Sequence, residues 1–329
     1  MGEKGHQESV YDVIIVGGGP AGLTAGLYAA RGGLKTLLME GESSVSQITV
    51  TDLVENYPGF PEGINGYDLV ERFKTQARQF GAMMQTDDVR AISAAQQDSG
   101  AVGGWMVEGV RQSYKGLAVI LATGANWRRL GVPGEEAFVG KGVSYCATCD
   151  GPFYREREVV VVGGGDTAVQ EALFLTKFAR KVTIIHRRDR LRATPVLQER
   201  AFTHERIGFA WDSVVEEIQG KAFVEGVKIR NLKNPEMSRV IPADGAFVFV
   251  GLTPNTAFVR GLVDCDENGY ILADSEMKTS AKGIFACGDC ISKLLRQVVT
   301  ACGDAATAAF SAQLHVEDLK GDSYLGRRA

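Results

Sequence analysis

The 329-residue sequence predicts an α/β fold of two Rossmann-like, three-layer nucleotide-binding domains, the second inserted into the first. Two observations carry this. A glycine-rich turn follows a short apolar strand and opens a helix twice, at Gly17–Gly22 and at Gly163–Ala168. A further strand-and-turn segment near the end, Gly283–Asp289, then leads into a helix rich in small residues. That order assigns residues 1–122 and 251–329 to one domain and residues 123–250 to the other.

The first copy begins with Tyr11–Val16, which reads as a buried parallel strand, and its helix covers Leu23–Arg31. Between them lies a Gly-x-Gly-x-x-Gly fingerprint in the context it requires. Gly17 makes the tight turn, Gly19 lets backbone approach a pyrophosphate, and Gly22 lets helix pack on strand. The helix N-terminus favours phosphate charge. The second strand, Leu34–Met39, ends at Glu40, 23 residues after Gly17 (40 minus 17), where a carboxylate accepts from ribose hydroxyls. Gln47 and Asn56 carry amides suited to a flavin ring or ribityl chain, although Asn before Tyr-Pro-Gly also suits a turn. Residues 68–80 read as an amphipathic helix and residues 83–112 as β-hairpins.

The second copy repeats the device. Val159–Val162 is the strand, Gly163, Gly165 and Ala168 fill the fingerprint, and the helix runs from about Thr167 to Phe178. Counting 23 residues from Gly163 reaches His186 (186 minus 163), at the end of strand Val182–Ile185. His186-Arg187-Arg188 with Arg192 thus replaces the acidic position of Glu40. A guanidinium pairs phosphate oxygens that a carboxylate repels. The two copies are therefore expected to bind different nucleotides, the first FAD and the second NADPH.

Between the copies stand Cys146 and Cys149, separated by two residues and followed at once by Asp150. Such a pair closes a small ring that opens and shuts, and the spacing lowers the pKa of one thiol. The carboxylate can move the proton that thiol–disulfide exchange takes up or releases. The following Gly151-Pro152 puts the pair at a turn or helix start. Half of a zinc site is the other reading. Cys287 and Cys290 form a second pair, but 138 residues away (287 minus 149), against roughly 15–20 in a zinc ribbon. Spacing and neighbours favour redox chemistry. Cys265, Cys290 and Cys302 are expected to be buried structural thiols.

Composition bounds the setting. Hydrophobic residues make up 45 % of the chain, enough for real cores, and 40 Gly against 9 Pro suit many tight turns. A net charge of −4 points to neither nucleic acid nor an anionic membrane. No apolar run reaches the ~18 residues of a membrane helix. The polar segment Met1–Ser9 lacks the apolar stretch of a secretion signal, and His6 stands where a myristoylation signal has Ser or Thr. A cytoplasmic chain is expected. Its reducing surroundings favour a working role for Cys146 and Cys149 over a disulfide scaffold.

With these residues placed, the chain resembles the low-molecular-weight thioredoxin reductases over residues 10–316. The resemblance rests, in order, on Gly17–Gly22, Asn56–Gly59, Ala122–Gly124, Cys146–Asp150, Gly163–Ala168, His186–Arg192 and Gly288–Gln297. It implies a homodimer that reduces thioredoxin, with an NADPH domain inserted into a split FAD domain. It implies Cys149 facing the flavin, Cys146 attacking the substrate disulfide and Asp150 as general acid. Its flavin set adds Pro20, Ala21, Val89, Thr123, Gly124, Gly288, Asp289, Arg296, Gln297 and Val298 to the residues above. Its NADPH set adds Asp166 and Thr167. Two positions depart from the family's pattern: Val45-Ser46 where Gly-Gly is common before Gln47, and Gln170 where Glu is frequent. Relatives with another donor or acceptor, ferredoxin-driven reductases or small-molecule thiol oxidases, remain the alternative. So does a zinc-stabilised binding module using Cys146, Cys149, Cys287 and Cys290.

Overall fold

The computed structural model describes residues 10–42, 46–51, 53–95 and 103–321, so Met1–Ser9 and Val45 lie outside the described residues. Two compact units form. One holds the described residues up to Asn126 and from Thr253 onward, and the other is Trp127–Leu252. Residues 123–126 stay with the first unit. There Asn255 donates its side-chain amide to the Thr123 carbonyl at 3.0 Å, and its backbone N–H to that of Gly124 at 3.0 Å.

The chain runs β1 (Tyr11–Val16), α1 (Pro20–Arg31), β2 (Thr36–Glu40), α2 (Gly66–Gln79), β3 (Met83–Thr86), β4 (Val89–Ala94), β5 (Trp105–Gly109), β6 (Ser113–Leu121) and β7 (Ala125–Trp127). It continues through β8 (Val143–Ser144), α3 (Ala147–Asp150), β9 (Glu158–Gly163), α4 (Asp166–Leu175), β10 (Lys181–Ile185), α5 (Pro195–Phe202) and β11 (Ile207–Ala210). β12 (Ser213–Gly220), β13 (Val224–Asn231), β14 (Ser238–Pro242) and β15 (Gly245–Phe249) complete the second unit. β16 (Leu252–Pro254), which pairs with β7, β17 (Ile284–Ala286) and α6 (Val298–Lys320) follow.

In the first unit the sheet order is β3-β2-β1-β6-β5-β4, with β17 also on β6. β6 is long enough for two partners on one edge. Its start pairs antiparallel with β5 (Tyr114 opposite Val107) and its end parallel with β17 (Ile120 opposite Phe285). β3 does not form the hairpin expected of residues 83–112. It returns through α2 and lies parallel to β2, Met83 opposite Leu37. β1 alternates with period two. Val13 and Ile15 pack with Leu23, Ala25 and Ala305 on the helix face, while Ile14 and Val16 pack with Val107, Tyr114 and Val259 on the other. Each buried Val or Ile contributes about 1.5–3 kcal/mol. Buried alanines at 25 and 29 on α1 and at 305, 308, 309 and 312 on α6 suit the close packing of these two helices. A larger side chain at Ala305 would cost about 1–3 kcal/mol through overpacking.

The second unit repeats the plan with a wholly parallel sheet, β11-β10-β9-β15-β8. Val159 and Val161 pack toward Val169 and Leu175 of α4, and Val160 and Val162 toward Ile218 and Val227 of the antiparallel β12-β13-β14 sheet. Both units are thus Rossmann-type layers of helix and parallel sheet. α4 stops at Leu175, three residues before the expected end. Thr176 turns its hydroxyl onto the Leu173 carbonyl at 2.6 Å, and Lys177 and Phe178 continue with i→i−3 bonds. α6 begins at Val298, because Gln297 is its N-cap in a capping box with Thr300.

Candidate active site

In the first unit the turn after β1 is shaped by what cannot fit. Gly17 has φ +123°, and a Cβ there would run into the Ala122 carbonyl. A Cβ on Gly22 would strike the Gly17 carbonyl. Gly19 is the N-cap of α1 and gives no side-chain cap, with Pro20 at the first helical position and Ala21 buried behind it. The first-turn N–H groups therefore have no side-chain acceptor at the cap, the arrangement that takes a phosphate. Glu40 ends β2 beside Gly18 and is 3.0 Å from Lys74 Nζ of α2, a partner its sequence context did not signal.

The remaining first-unit candidates differ in how their polar groups are met. Thr123 Oγ1 and Asp289 Oδ1 are buried without a hydrogen-bond partner, and burial pushes the Asp289 carboxyl up. Such orphaned oxygens are costly unless something meets them, and ligand hydroxyls fit that need. Asn56 and Gln297 meet each other, amide to amide, at 2.9 Å, although 241 residues apart. Gln47 opens a 3-10 turn and donates to the Ala125 carbonyl. Arg296 points its guanidinium at the carbonyls of Asp289, Ile291 and Lys293 and stacks 4.0 Å from the Tyr270 ring centre. Val89 starts β4 opposite Gly109, Val298 starts α6, and Gly124 and Gly288 hold left-handed φ values of +66° and +76°.

In the second unit Gly163 has φ +153°, and a Cβ there would meet the Phe249 carbonyl and the Ala168 methyl. Gly165 is the uncapped N-cap of α4. Asp166 opens that helix and accepts from the Thr194 N–H at 2.5 Å, while Thr167 is exposed. His186 is buried, 5 % exposed, with Nε2 unpartnered. Burial, then the guanidiniums of Arg192, Arg188 and Arg187, hold its imidazole below the ordinary range. These three arginines are exposed, and among the described residues no carboxylate pairs with them. The Arg192 N–H donates to the Gly164 carbonyl at 2.6 Å, so the cluster and the glycine turn share one surface. Gln170 lies half-buried on α4.

Cys146 and Cys149 are bonded to each other, with Cα atoms 5.4 Å apart. Disulfide sulfurs are not the thiolates that zinc requires. Cys146, half-buried, is the N-cap of α3, and its Sγ accepts from the Cys149 N–H at 3.1 Å; Cys149 is exposed. Neighbours unsignalled in the sequence pin this turn. Ser144 Oγ accepts from the Cys146 N–H at 3.0 Å and donates to the Cys146 carbonyl at 3.1 Å. Tyr145 donates to buried Glu135 at 2.7 Å, and burial followed by this contact pushes its phenol up. Glu135 also accepts from the Leu130 and Gly131 N–H groups. Phe153 beside the pair is 75 % exposed. The Asp150 backbone N–H donates to the Cys146 carbonyl at 3.2 Å.

The other cysteines are free. Cys287 and Cys290 are fully buried and desolvation pushes both thiols up, which makes them poor nucleophiles. Cys265 and Cys302 are only half-buried, contrary to expectation: Cys265 packs against the edge of a core cluster, and Cys302 lines a cleft beside Tyr57.

Nucleotide turns and a bonded Cys-x-x-Cys pair define a class, and the sequence pattern of the pyridine nucleotide-disulphide oxidoreductases matches residues 11–305. Within that class the chain belongs to the thioredoxin reductase family. It is 46 % identical over 317 residues to the thioredoxin reductase of Peptoclostridium litorale, covering 95 % of this chain and 99 % of the relative. It is 47 % identical to that of Listeria monocytogenes, covering 95 % and 96 %. Among solved structures, Lactococcus lactis thioredoxin reductase superposes with a TM-score of 0.88 at 43 % identity, covering 94 % of this chain and 99 % of that one. The T. acidophilum thioredoxin reductase gives 0.85 at 34 % identity, covering 93 % and 98 %. Among the described residues no helix is long and apolar enough to cross a membrane.

Proposed function

We propose that the chain is an NADPH-dependent thioredoxin-disulfide reductase. The unit that runs up to Asn126 and resumes at Thr253 holds FAD, and the unit Trp127–Leu252 holds NADPH and the working disulfide. One observation carries the reading: the unit whose nucleotide turn ends in an unpaired basic cluster also carries the bonded Cys146–Cys149 pair.

A bound FAD supplies acceptance of a hydride from reduced nicotinamide and delivery of two electrons to a disulfide. The chain's own residues do the rest. Gly17, Gly19, Pro20, Ala21 and Gly22 shape the pyrophosphate turn, and Glu40 takes ribose hydroxyls. Gln47, Asn56, Val89, Thr123, Gly124, Gly288, Asp289, Arg296, Gln297 and Val298 complete the flavin site; the orphaned oxygens of Thr123 and Asp289 support this. Arg296 holds the loop that carries Asp289. In the second unit Gly163, Gly165, Asp166, Thr167 and Ala168 form the NADPH turn, and His186, Arg187, Arg188 and Arg192 receive its extra phosphate.

Cys146 is the attacking thiol. The Cys149 N–H already directed at its sulfur favours a thiolate there. Its sulfur forms a mixed disulfide with one substrate sulfur and releases the other. Cys149, the flavin-facing thiol, then attacks Cys146, restoring the 146–149 bond and freeing the second substrate sulfur. The substrate gains two protons, one of them through Asp150. Exposed Phe153 supports a protein substrate, since an apolar ring beside a redox pair gives a partner something to bury. The relatives' names point to thioredoxin. We also place the chain in the cytoplasm as a homodimer.

Steady-state reduction of a bacterial thioredoxin tests the reading. Turnover with NADPH is expected, with NADH at least ~100-fold less efficient, since two phosphate–guanidinium bonds of roughly 1.5–3 kcal/mol each suffice. Turnover with reduced ferredoxin alone would overturn the donor assignment.

A further inference from the structure

The turn that carries Asp289 is anchored from α6 by a single oxygen. Asp304 Oδ2 lies 2.6 Å from Lys293 Nζ and also accepts the Gly288 N–H at 3.3 Å. Both side chains of this ion pair are largely covered, Lys293 at 12 % and Asp304 at 19 % exposed. One carboxylate thus ties together the two ends of the segment 288–293. Arg296 closes the same segment from its other side through three carbonyls. Gly288 faces the first turn of α1, where a Cβ would stand 2.8 Å from that of Ala21. The segment is therefore pressed against the open helix end, with the unpartnered Asp289 Oδ1 between the charges of Lys293, Arg296 and Asp304.

We propose that Asp304 and Lys293 are positioning residues for Asp289. The pair clamps the Gly288–Asp289 turn against α1 and balances charge around it, and so sets the reduction potential of the flavin held there. This rests on the reading that the first unit binds FAD. The physical argument is one of sign. Asp304→Asn keeps an oxygen for the Gly288 N–H but leaves the Lys293 cation uncompensated in a partly dry site. A net positive change favours electrons on a nearby acceptor. Lys293→Met keeps the apolar stem and leaves the Asp304 anion uncompensated, which disfavours them. A merely structural pair would move both variants the same way.

The test uses the full chain in two forms. In the FAD-loaded protein, the ratio of reduced to oxidised flavin at a fixed potential should rise roughly threefold or more in Asp304→Asn and fall similarly in Lys293→Met. The neutral double variant should return toward wild type, and it carries the test if a single variant does not fold. Shifts in one direction for both, or none, would overturn the charge role. In the FAD-free protein, amide exchange of the 287–291 segment should speed several-fold in Asp304→Ala. Unchanged exchange would overturn the clamp. A wild-type protein that binds no FAD at all would instead sink the flavin reading, and the exchange result would still decide the clamp.

Discussion

Gly164 lies against the imidazole of His186, so that a Cβ on the glycine would collide with three ring atoms. The first unit has the same relationship between Gly18 and the side chain of Glu40. The spacing is 22 residues in each (186 minus 164, 40 minus 18). The strand-end residue thus occupies the same place in both copies, and the exchange of Glu for His-Arg-Arg changes the charge at one defined position.

Gly164→Ala is therefore expected to push the His186 ring off the turn and raise KM for NADPH about tenfold, at a stability cost of about 1–3 kcal/mol. Gly18→Ala meets the flexible stem of Glu40 instead and should be milder. NADPH titration and thermal unfolding of both variants check this; equal effects would contradict it.

Replacing Arg187 and Arg188 together by Ala should cost mainly NADPH affinity, about a hundredfold in kcat/KM, with NADH use little changed because NADH lacks the extra phosphate. Comparable losses with both nucleotides would show that the cluster does not read the phosphate.

His186 also gives a pH signature. Its imidazole is held below the ordinary value near 6.5 by burial and then by Arg192, Arg188 and Arg187. Below that value the unfolded chain binds a proton that the folded chain refuses, so this contribution is full above about pH 6.5 and is lost as pH falls. The difference in unfolding free energy between wild type and His186→Gln should thus change sharply below pH 6.5 and stay flat above it. Taking the difference removes His315, shifted in the same sense, and Asp289, shifted in the opposite one. A flat difference throughout would contradict a buried neutral His186.

Both glycine turns, their strand ends and the Cys-x-x-Cys pair were legible because each is a local pattern whose function depends on spacing along the chain. What was not legible depends on distant partners. Asn56 meets Gln297, Glu40 meets Lys74 on a helix 34 residues away, and Asp304 reaches back to Gly288. β3 joined the parallel sheet because α2 carries the chain back, a tertiary fact that weak alternation at residues 83–86 does not encode. Arg296 also serves three carbonyls of its own loop, partners that no local pattern signals. Phe153 carries no sequence signal, since burial or exposure of an aromatic at a turn is decided by the fold around it.

Cys146→Ser and Cys149→Ser should each abolish thioredoxin reduction while FAD stays bound. Cys287→Ser should retain most turnover, because that thiol is fully buried and pushed up by desolvation. Loss of turnover in Cys287→Ser equal to that in Cys146→Ser, with flavin retained, would reassign the working pair.

The central claim is that electrons from NADPH open the Cys146–Cys149 bond. Anaerobic titration of the purified protein with NADPH, followed by alkylation of new thiols and peptide mapping, tests it most directly. The account predicts two new thiols per chain, at Cys146 and Cys149, with Cys265, Cys287, Cys290 and Cys302 unchanged from the untreated protein. Reduction of the flavin with no new thiol at Cys146 and Cys149 would contradict it.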